Sequence, residues 1–297
     1  MPKNKPIILI VDDTETNIDI LLDLLNEYDV IVAISGKSAL EVAFEENPDL
    51  ILLDIMMPDM DGYEVCEKLK SNESTKDIPV VFITAKTDED SIEKAYEVGG
   101  IDYVSKPFKP RELIARVKTQ IKVKELISSL DYIASHDSMT GSYNRRKFFE
   151  LASQRFNNSK DNLYAVMIDI DDFKNVNDRY GHDIGDKVIK IISQTINEAI
   201  SKDSIFGRIG GEEFAILCNI NSKDMIIKNV EFIREVVEKT EIILDDGIVV
   251  KCTISSGIAK AEEDTNTLDL LLKRADLALY EAKAKGRNRV IFTLSRN

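Results

Sequence analysis

Basic residues are in deficit in this chain: 39 Lys and Arg against 53 Asp and Glu leave a net charge of −14 over 297 residues. That balance argues against non-specific binding to nucleic acid or to an anionic membrane as the main activity, because both need a cationic surface. Thiols and imidazoles are scarce as well. Cys66, Cys218 and Cys252, with two histidines, show no zinc-ligand spacing. The cysteines are odd in number and set in apolar runs, which predicts buried free thiols in a reducing compartment. No apolar run approaches the length of a membrane span, and the run at 7–11 is cut off by Asp12 and Asp13, against a signal-peptide core. A cytoplasmic protein without membrane insertion is expected. What the chain has in quantity is core: 43% hydrophobic and 31% charged residues suit a globular protein, and the length suggests about two domains.

The first 110 or so residues alternate short β-branched runs, at 7–11, 30–33, 50–53, 80–83 and 101–104, with amphipathic segments. Continuous apolar strands separated by helical patterns predict a parallel sheet covered on both faces, a doubly wound α/β domain. Asp12 and Asp13 end the first strand, Asp54 the third and Thr84 the fourth, and Lys106 closely follows the fifth. Functional groups in such sheets gather at the carboxyl ends of the strands, so these five converge on one pocket. Taken singly, Asp13 or Thr84 also reads as a helix cap. Three carboxylates in one pocket repel unless a hard cation neutralises them, and Mg2+ on oxygen ligands does that.

From Pro110 to Thr140 there is neither glycine nor a further proline. Val123, Leu126, Leu130 and Ile133 are spaced three, four, three, the seam of a short coiled coil, although the register slips by two after Ile121. One long helix is predicted, its first half packed on its own domain.

Downstream, 163–170 reads as a buried strand ending among Asp169, Asp171 and Asp172, and RIGGEEFAIL at 208–217 reads as a tight Gly-Gly hairpin followed at once by Glu212 and Glu213. A bare Gly-Gly-Glu-Glu is equally an ordinary turn with solvated acids. An aspartate-ended strand and a glutamate-bearing hairpin, if brought together, supply oxygen ligands for a divalent metal. The amides around Phe173 and Lys174 open a helix suited to phosphate. Asn177 with Asp178 by itself is a routine turn, His182 a routine surface histidine, and Lys283 and Arg287, four apart after a helical pattern at 268–282, a solvated basic helix end.

These segments, with DSMTGSYNR (137–145), DIDDFK (169–174), NDRYGHDIGD (177–186) and AKAKGRNR (282–289), closely resemble, in order, the diguanylate cyclases with their GGDEF or GGEEF signature, over roughly the last 160 residues. Residues 5–125 or so resemble a response-regulator receiver domain. The two resemblances imply a (βα)5 receiver at 1–122, a helical connector at 123–136 and, at 137–297, an α/β GGDEF domain with a mixed central sheet like that of nucleotidyl cyclases. In the receiver they imply Asp54 as phosphoacceptor, Mg2+ held by Asp12, Asp13, Asp54 and the Met56 carbonyl, Thr84 and Lys106 on the phosphoryl oxygens, and Tyr103 as the aromatic switch. Lys106-Pro107 is a candidate cis peptide that sequence leaves open. In the second domain they imply Mg2+, or Mn2+, on Asp169, the Ile170 carbonyl and Glu212, with Glu213 as a second-metal ligand or as an aid to deprotonating a ribose 3′-hydroxyl. Phosphates would lie at Phe173 and Lys174, guanine at Asn177 and Asp186 with His182 nearby, and the terminal phosphates at Lys283 and Arg287.

Three departures stand out. Met139 and Ser142 replace leucines, predicting looser packing where the second domain begins; Ile209 replaces an aromatic residue; and Ser201 and Ser204 replace the Arg and Asp of the RxxD product-inhibition site, which is therefore expected to be absent. The expected function is a phosphorylation-regulated cyclase that condenses two GTP into cyclic di-GMP and two pyrophosphates as a homodimer, with a sensor histidine kinase as phosphodonor and no nucleic-acid partner. The alternatives are an inactive GGEEF module acting as a GTP- or protein-binding switch, and a cyclase of other specificity such as one using ATP.

Overall fold

The computed structural model describes residues 5–85, 89–244 and 247–293. The chain divides into two compact units, Met1–Leu130 and Asp131–Asn297. No helix among the described residues is long and apolar enough to cross a membrane.

In the first unit, β1 (Ile7–Val11), β2 (Asp29–Ala33), β3 (Leu50–Asp54), β4 (Val80–Thr84) and β5 (Asp102–Ser105) form a parallel sheet in the order β2-β1-β3-β4-β5. The helices are α1 (Glu15–Leu24), α2 (Gly36–Glu46), α3 (Gly62–Lys70), α4 (Glu89–Glu97) and α5 (Pro110–Ser135). Strand period two sorts the core into layers. Leu9, Val11, Ile51 and Leu53 meet Ala39, Ala43, Val65 and Cys66 of α2 and α3 on one face. Ile8, Ile10, Leu50 and Leu52 meet Leu21 of α1 and Leu113, Val117 and Ile121 of α5 on the other. The fifth strand starts one residue later than the apolar run suggested, because Ile101 is exposed and Val104 alone of the strand is fully inside. The predicted long helix forms. Val123, Leu126, Leu130 and Ile133 are exposed along it, as is Ile127.

In the second unit, α6 (Arg145–Asn158) precedes β6 (Leu163–Ile170), α7 (Phe173–Tyr180), α8 (His182–Ala199), β7 (Ile205–Gly210), β8 (Glu213–Asn219), α9 (Lys223–Lys239), a small hairpin of β9 (Ile242–Ile243) and β10 (Val249–Val250), β11 (Ile254–Lys260), α10 (Leu268–Ala284) and β12 (Val290–Phe292). The sheet order is β12-β11-β6-β8-β7, mixed because only β11 and β12 run parallel. Every residue of the central β6 is buried. Its Leu163, Ala165 and Met167 face α6 and α10, while Val166, Ile168 and Ile170 face α8 and α9. The three cysteines are buried free thiols, and burial pushes each up to about 11.

Side chains cap α2, α3, α6, α9 and α10 through Ser35, Asp61, Asn144, Ser222 and Thr267. Such a cap contributes about 1 kcal/mol. No side-chain cap serves α1, α7 or α8. All three start beside residues that the sequence marks as functional.

Candidate functional site

Two clusters of carboxylates stand at strand ends, one in each unit. In the first, Asp12, Asp13 and Asp54 offer oxygens within 4.8 Å of one another, the arrangement a hard divalent cation needs, so the donor set fits Mg2+. Asp12 is fully buried and Asp54 nearly so. Lys106 Nζ bridges them, 2.9 Å from Asp12 Oδ2 and 2.8 Å from Asp54 Oδ2. Burial raises the Asp54 pKa, the bonds from Lys106 lower it and Asp12 raises it, for a net shift upward. Burial pulls the Lys106 ammonium down, but its bonds to the two carboxylates outweigh that and the net shift is upward. Thr84, buried, ends β4; Met56 donates its N–H toward Asp54 Oδ1 at 3.4 Å; Tyr103 is half-buried on β5 with the Arg116 guanidinium 5.7 Å from its ring centre. The Lys106-Pro107 peptide is cis.

Two residues of this pocket escaped the sequence reading. Asn17 donates to both oxygens of Asp12, at 2.9 and 3.1 Å, and with the Thr14 N–H, 2.9 Å from Oδ1, fixes that carboxylate. Gly62 lets α3 begin directly under β3, since a Cβ there would lie 2.3 Å from the Asp54 carbonyl oxygen. The Asp-Gly pair after the strand was the available signal.

In the second unit, antiparallel register sets Glu213, the first residue of β8, directly opposite Asp169 on β6. Directly paired side chains share one face of the sheet, with Cβ atoms about 5 Å apart. Glu212 sits in the turn, half-buried, and its carbonyl accepts from Ile170 N at 3.4 Å. Lys283 Nζ lies 2.7 Å from Asp169 Oδ2. Burial pushes Asp169 up to about 6, with Lys283 opposing and the charges of Glu212 and Glu213 adding to the rise. A carboxylate so placed gains from a cation, so this oxygen-rich set also fits a hard metal.

Lys283 and Arg287, four apart in sequence, lie on different elements. Helix α10 runs on to Ala284 and includes Lys283, whereas Arg287 lies beyond it at φ 60. Arg287 instead pairs with Asp172, its Nε 3.2 Å from Oδ1. Phe173 and Lys174 open α7, preceded by Asp172 in the left-handed region at φ 52. Asn177 on α7 tucks against α8: a Cβ on Gly185 would lie 1.9 Å from Asn177 Oδ1. That oxygen is buried and has no hydrogen-bond partner. Asp186 and His182 are both exposed on α8.

Sequence alone assigned Arg208 no structural role. Its Nε donates to the Gly211 carbonyl at 2.8 Å and its Nη1 to Asp137 Oδ1 at 3.1 Å, bracing the Gly-Gly turn against the start of the unit. Burial alone would raise the Asp137 pKa, but bonds from Thr140 and Arg208 hold it below the usual range. The expected loose packing at Met139 and Ser142 is not found. Ser142 is buried and bonded to Thr140 Oγ1 at 2.9 Å, and Met139 packs on the core. Ile209 packs on the opposite core face. Ser201 is exposed and Ser204 half-buried, and the nearby Arg155 is committed to the carbonyls of Asp203 and Leu217.

A mixed sheet carrying paired acids at a Gly-Gly-Glu-Glu hairpin, following a receiver-type sheet along the chain, defines a class, and the comparisons agree with it. The family model for the diguanylate cyclase GGDEF domain matches residues 134–289, more than half of the sequence, and that for the response regulator receiver domain matches 8–118; the chain belongs to the GGDEF diguanylate cyclase family, with a receiver domain ahead of the GGDEF domain. It is similar to the response regulator PleD of Caulobacter vibrioides, 32% identical over 96% of this chain and 65% of that protein, so the chain spans just under two thirds of that relative's length. Diguanylate cyclase DgcM of Escherichia coli is 38% identical over 57% of this chain and 40% of its own length. Among solved structures, the coiled coil and GGDEF domain of DgcB from Caulobacter crescentus, in complex with c-di-GMP, superposes with TM-score 0.57 at 26% identity, covering 62% of this chain and 98% of that one.

Proposed function

We propose that this chain is a phosphorylation-regulated diguanylate cyclase that converts two GTP into cyclic di-GMP and two pyrophosphates. The observation that carries the reading is the register that sets Glu213 opposite Asp169, with Lys283 bonded to the latter. A divalent cation, Mg2+ or Mn2+, would be held by Asp169, the Ile170 carbonyl, Glu212 and Glu213, and when bound would neutralise charge on the triphosphate and the leaving pyrophosphate. The uncapped amides of Phe173 and Lys174, with Lys283 and Arg287, orient the phosphates. The unpartnered Asn177 amide oxygen suits the N–H groups of a guanine edge, and Asp186 across the helix pair supplies a second acceptor. Adenine lacks those donors and would leave the oxygen buried and unpaired, which costs affinity.

Each chain holds one such site, and each new phosphodiester joins the 3′-hydroxyl of one GTP to the α-phosphorus of the other. Two copies must therefore face each other. The exposed seam of Val123, Leu126, Leu130 and Ile133 suits a helix-helix dimer. Asp54 accepts a phosphoryl group from a sensor histidine kinase, in a pocket where Asp12, Asp13 and the Met56 carbonyl would hold Mg2+ and Thr84 and Lys106 meet the new oxygens, with Tyr103 reporting the change. Phosphorylation acts on the cyclase only to the extent that it favours the dimer. Ser201 and Ser204 supply neither the guanidinium nor the carboxylate of a product-inhibition site.

The test is direct: purified chain incubated with Mg2+ and GTP should form cyclic di-GMP and pyrophosphate, and ATP should not replace GTP. GTP binding without any turnover, with or without a phosphodonor, would leave the protein a nucleotide-binding switch instead.

A further inference from the structure

Asp171 has no place in the chemistry above, yet its carboxylate is fully employed. It is buried just past the end of β6. Oδ1 accepts from Ser255 Oγ at 2.6 Å, and Oδ2 accepts from Thr253 Oγ1 at 2.7 Å and from the main-chain N–H of Asn288 at 2.9 Å. The Asp171 N–H donates to the Thr253 carbonyl at 2.9 Å. One side chain thus ties the end of β6 to the start of β11 and to the loop after α10. Asn288 is held from its other side by α9, its Oδ1 accepting from Arg234 Nη1 and its Nδ2 donating to Glu238 Oε1, each at 2.8 Å.

The loop needs this restraint. Arg287 and Asn288 are consecutive non-glycine residues in the left-handed region, at φ 60 and 46, and such a conformation persists only where its surroundings over-determine it. The neighbouring Arg287–Asp172 pair cannot supply the restraint, since its side chains are 47% and 56% exposed and an exposed ion pair contributes little. We propose that Asp171 and Asn288 are positioning residues for the triphosphate end of the nucleotide: they fix the backbone from which Arg287 projects, so that an incoming phosphate takes over the guanidinium from Asp172 without the loop rearranging. This rests on the reading of the second unit as a GTP site. Preorganisation of this kind strengthens binding to groups that Arg287 meets and leaves the guanine end untouched.

The experiment compares the full chain with Mg2+ binding guanosine 5′-(α,β-methylene)triphosphate, which cannot turn over, against GMP. Asp171→Ala should lower the triphosphate-to-GMP affinity ratio by about ten-fold, the loss of one charge-assisted bond, with GMP affinity unchanged. Asp171→Asn, able to turn its amide oxygen to the Asn288 N–H, should recover most of the ratio. Asn288→Gly tolerates the left-handed backbone and keeps the N–H, but it loses both ties to α9. It should lower the ratio by a few-fold, and it decides the matter alone if Asp171→Ala does not fold. An unchanged ratio in the folded variants overturns the proposal and leaves Asp171 a purely structural residue. A native chain that binds the triphosphate no better than GMP overturns both this proposal and the GTP reading beneath it.

Discussion

The two acidic sites solve the same electrostatic problem in different ways. In the receiver pocket, three carboxylates already lie within 4.8 Å and one lysine bridges the two buried ones. In the GGEEF site, Lys283 is bonded to Asp169, and the two glutamates sit on a separate hairpin, outside any comparably tight cluster among the described residues. On the proposed roles, the difference matches what each would hold: a single phosphoryl group would be served by one compact, preassembled pocket, whereas a triphosphate spans several ångströms and would draw its acids from two elements. Close like charges without a cation are costly in low dielectric, so a site that waits open avoids that cost.

Glu213→Gln is expected to give the largest effect on that contrast. It keeps the size and removes the charge opposite Asp169, so turnover should fall on the order of 10²-fold or more, as for loss of a general base or metal ligand. Cyclic di-GMP formed at the native rate would remove Glu213 from the mechanism. Next comes Lys283→Met. It would remove the proposed charge-assisted contact to phosphate, worth about 1.5–3 kcal/mol, and KM for GTP should rise about 10- to 100-fold. Steady-state kinetics check this, and an unchanged KM would mean that Lys283 serves Asp169 alone.

How much of this contrast can be read without coordinates differs between the units. Both central strands are plain in sequence because they are buried on both faces and so written as continuous apolar runs, β3 ending at Asp54 and β6 one residue past Asp169. The receiver pocket is equally plain, since parallel strands bring their carboxyl ends together whatever the detailed register. The GGEEF site is less so. That Glu213 faces Asp169 depends on antiparallel register, which a one-residue slip would reverse. Gly286, at φ 113 just past α10, announces the helix end in sequence, but the left-handed pair Arg287 and Asn288 that aims the guanidinium has no glycine at either position to announce it. Asp171 and Asn288 are 117 residues apart, and nothing local marks them as partners. The exposed half of α5 was legible because heptad spacing is a local property, but Ile127 widens the seam beyond the four residues the spacing picks out.

Asp54→Asn tests the preassembled pocket with a smaller expected effect on output. Labelling by a small-molecule phosphodonor should disappear, and phosphodonor should no longer raise cyclase activity. The stimulation lost is expected to be only a few-fold if dimers already dominate, because a ligand shifts an equilibrium only by its differential affinity for the two states. Sedimentation and initial rates that respond to phosphodonor in the Asn variant as in the native chain would disconnect Asp54 from the output.

The smallest effect concerns the open site without metal. Burial pushes Asp169 from 3.8 up to about 6 despite Lys283, so between those values the folded chain binds more proton at this position than the unfolded chain. Stability from this group is therefore fully present below pH 4 or so and is lost as pH rises through about 6. With Asp169 nearly buried, the swing is about 1–2 kcal/mol after allowance for relaxation, which corresponds to a few degrees in Tm. Carboxylates with depressed pKa contribute with the opposite sign at the acid edge of this window, Asp137 losing its contribution as pH falls below its ordinary value of 3.8, so the measurement must be a difference. In metal-free buffer the Tm of Asp169→Asn minus that of the native chain should become more positive from pH 4 to pH 7, because the amide does not titrate. Saturating Mg2+ should reverse the trend by stabilising the ionised carboxylate of the native chain alone. A difference that stays flat with pH in the absence of metal would mean that Lys283 already neutralises Asp169 in full, and the GGEEF site would then be as preassembled as the receiver pocket.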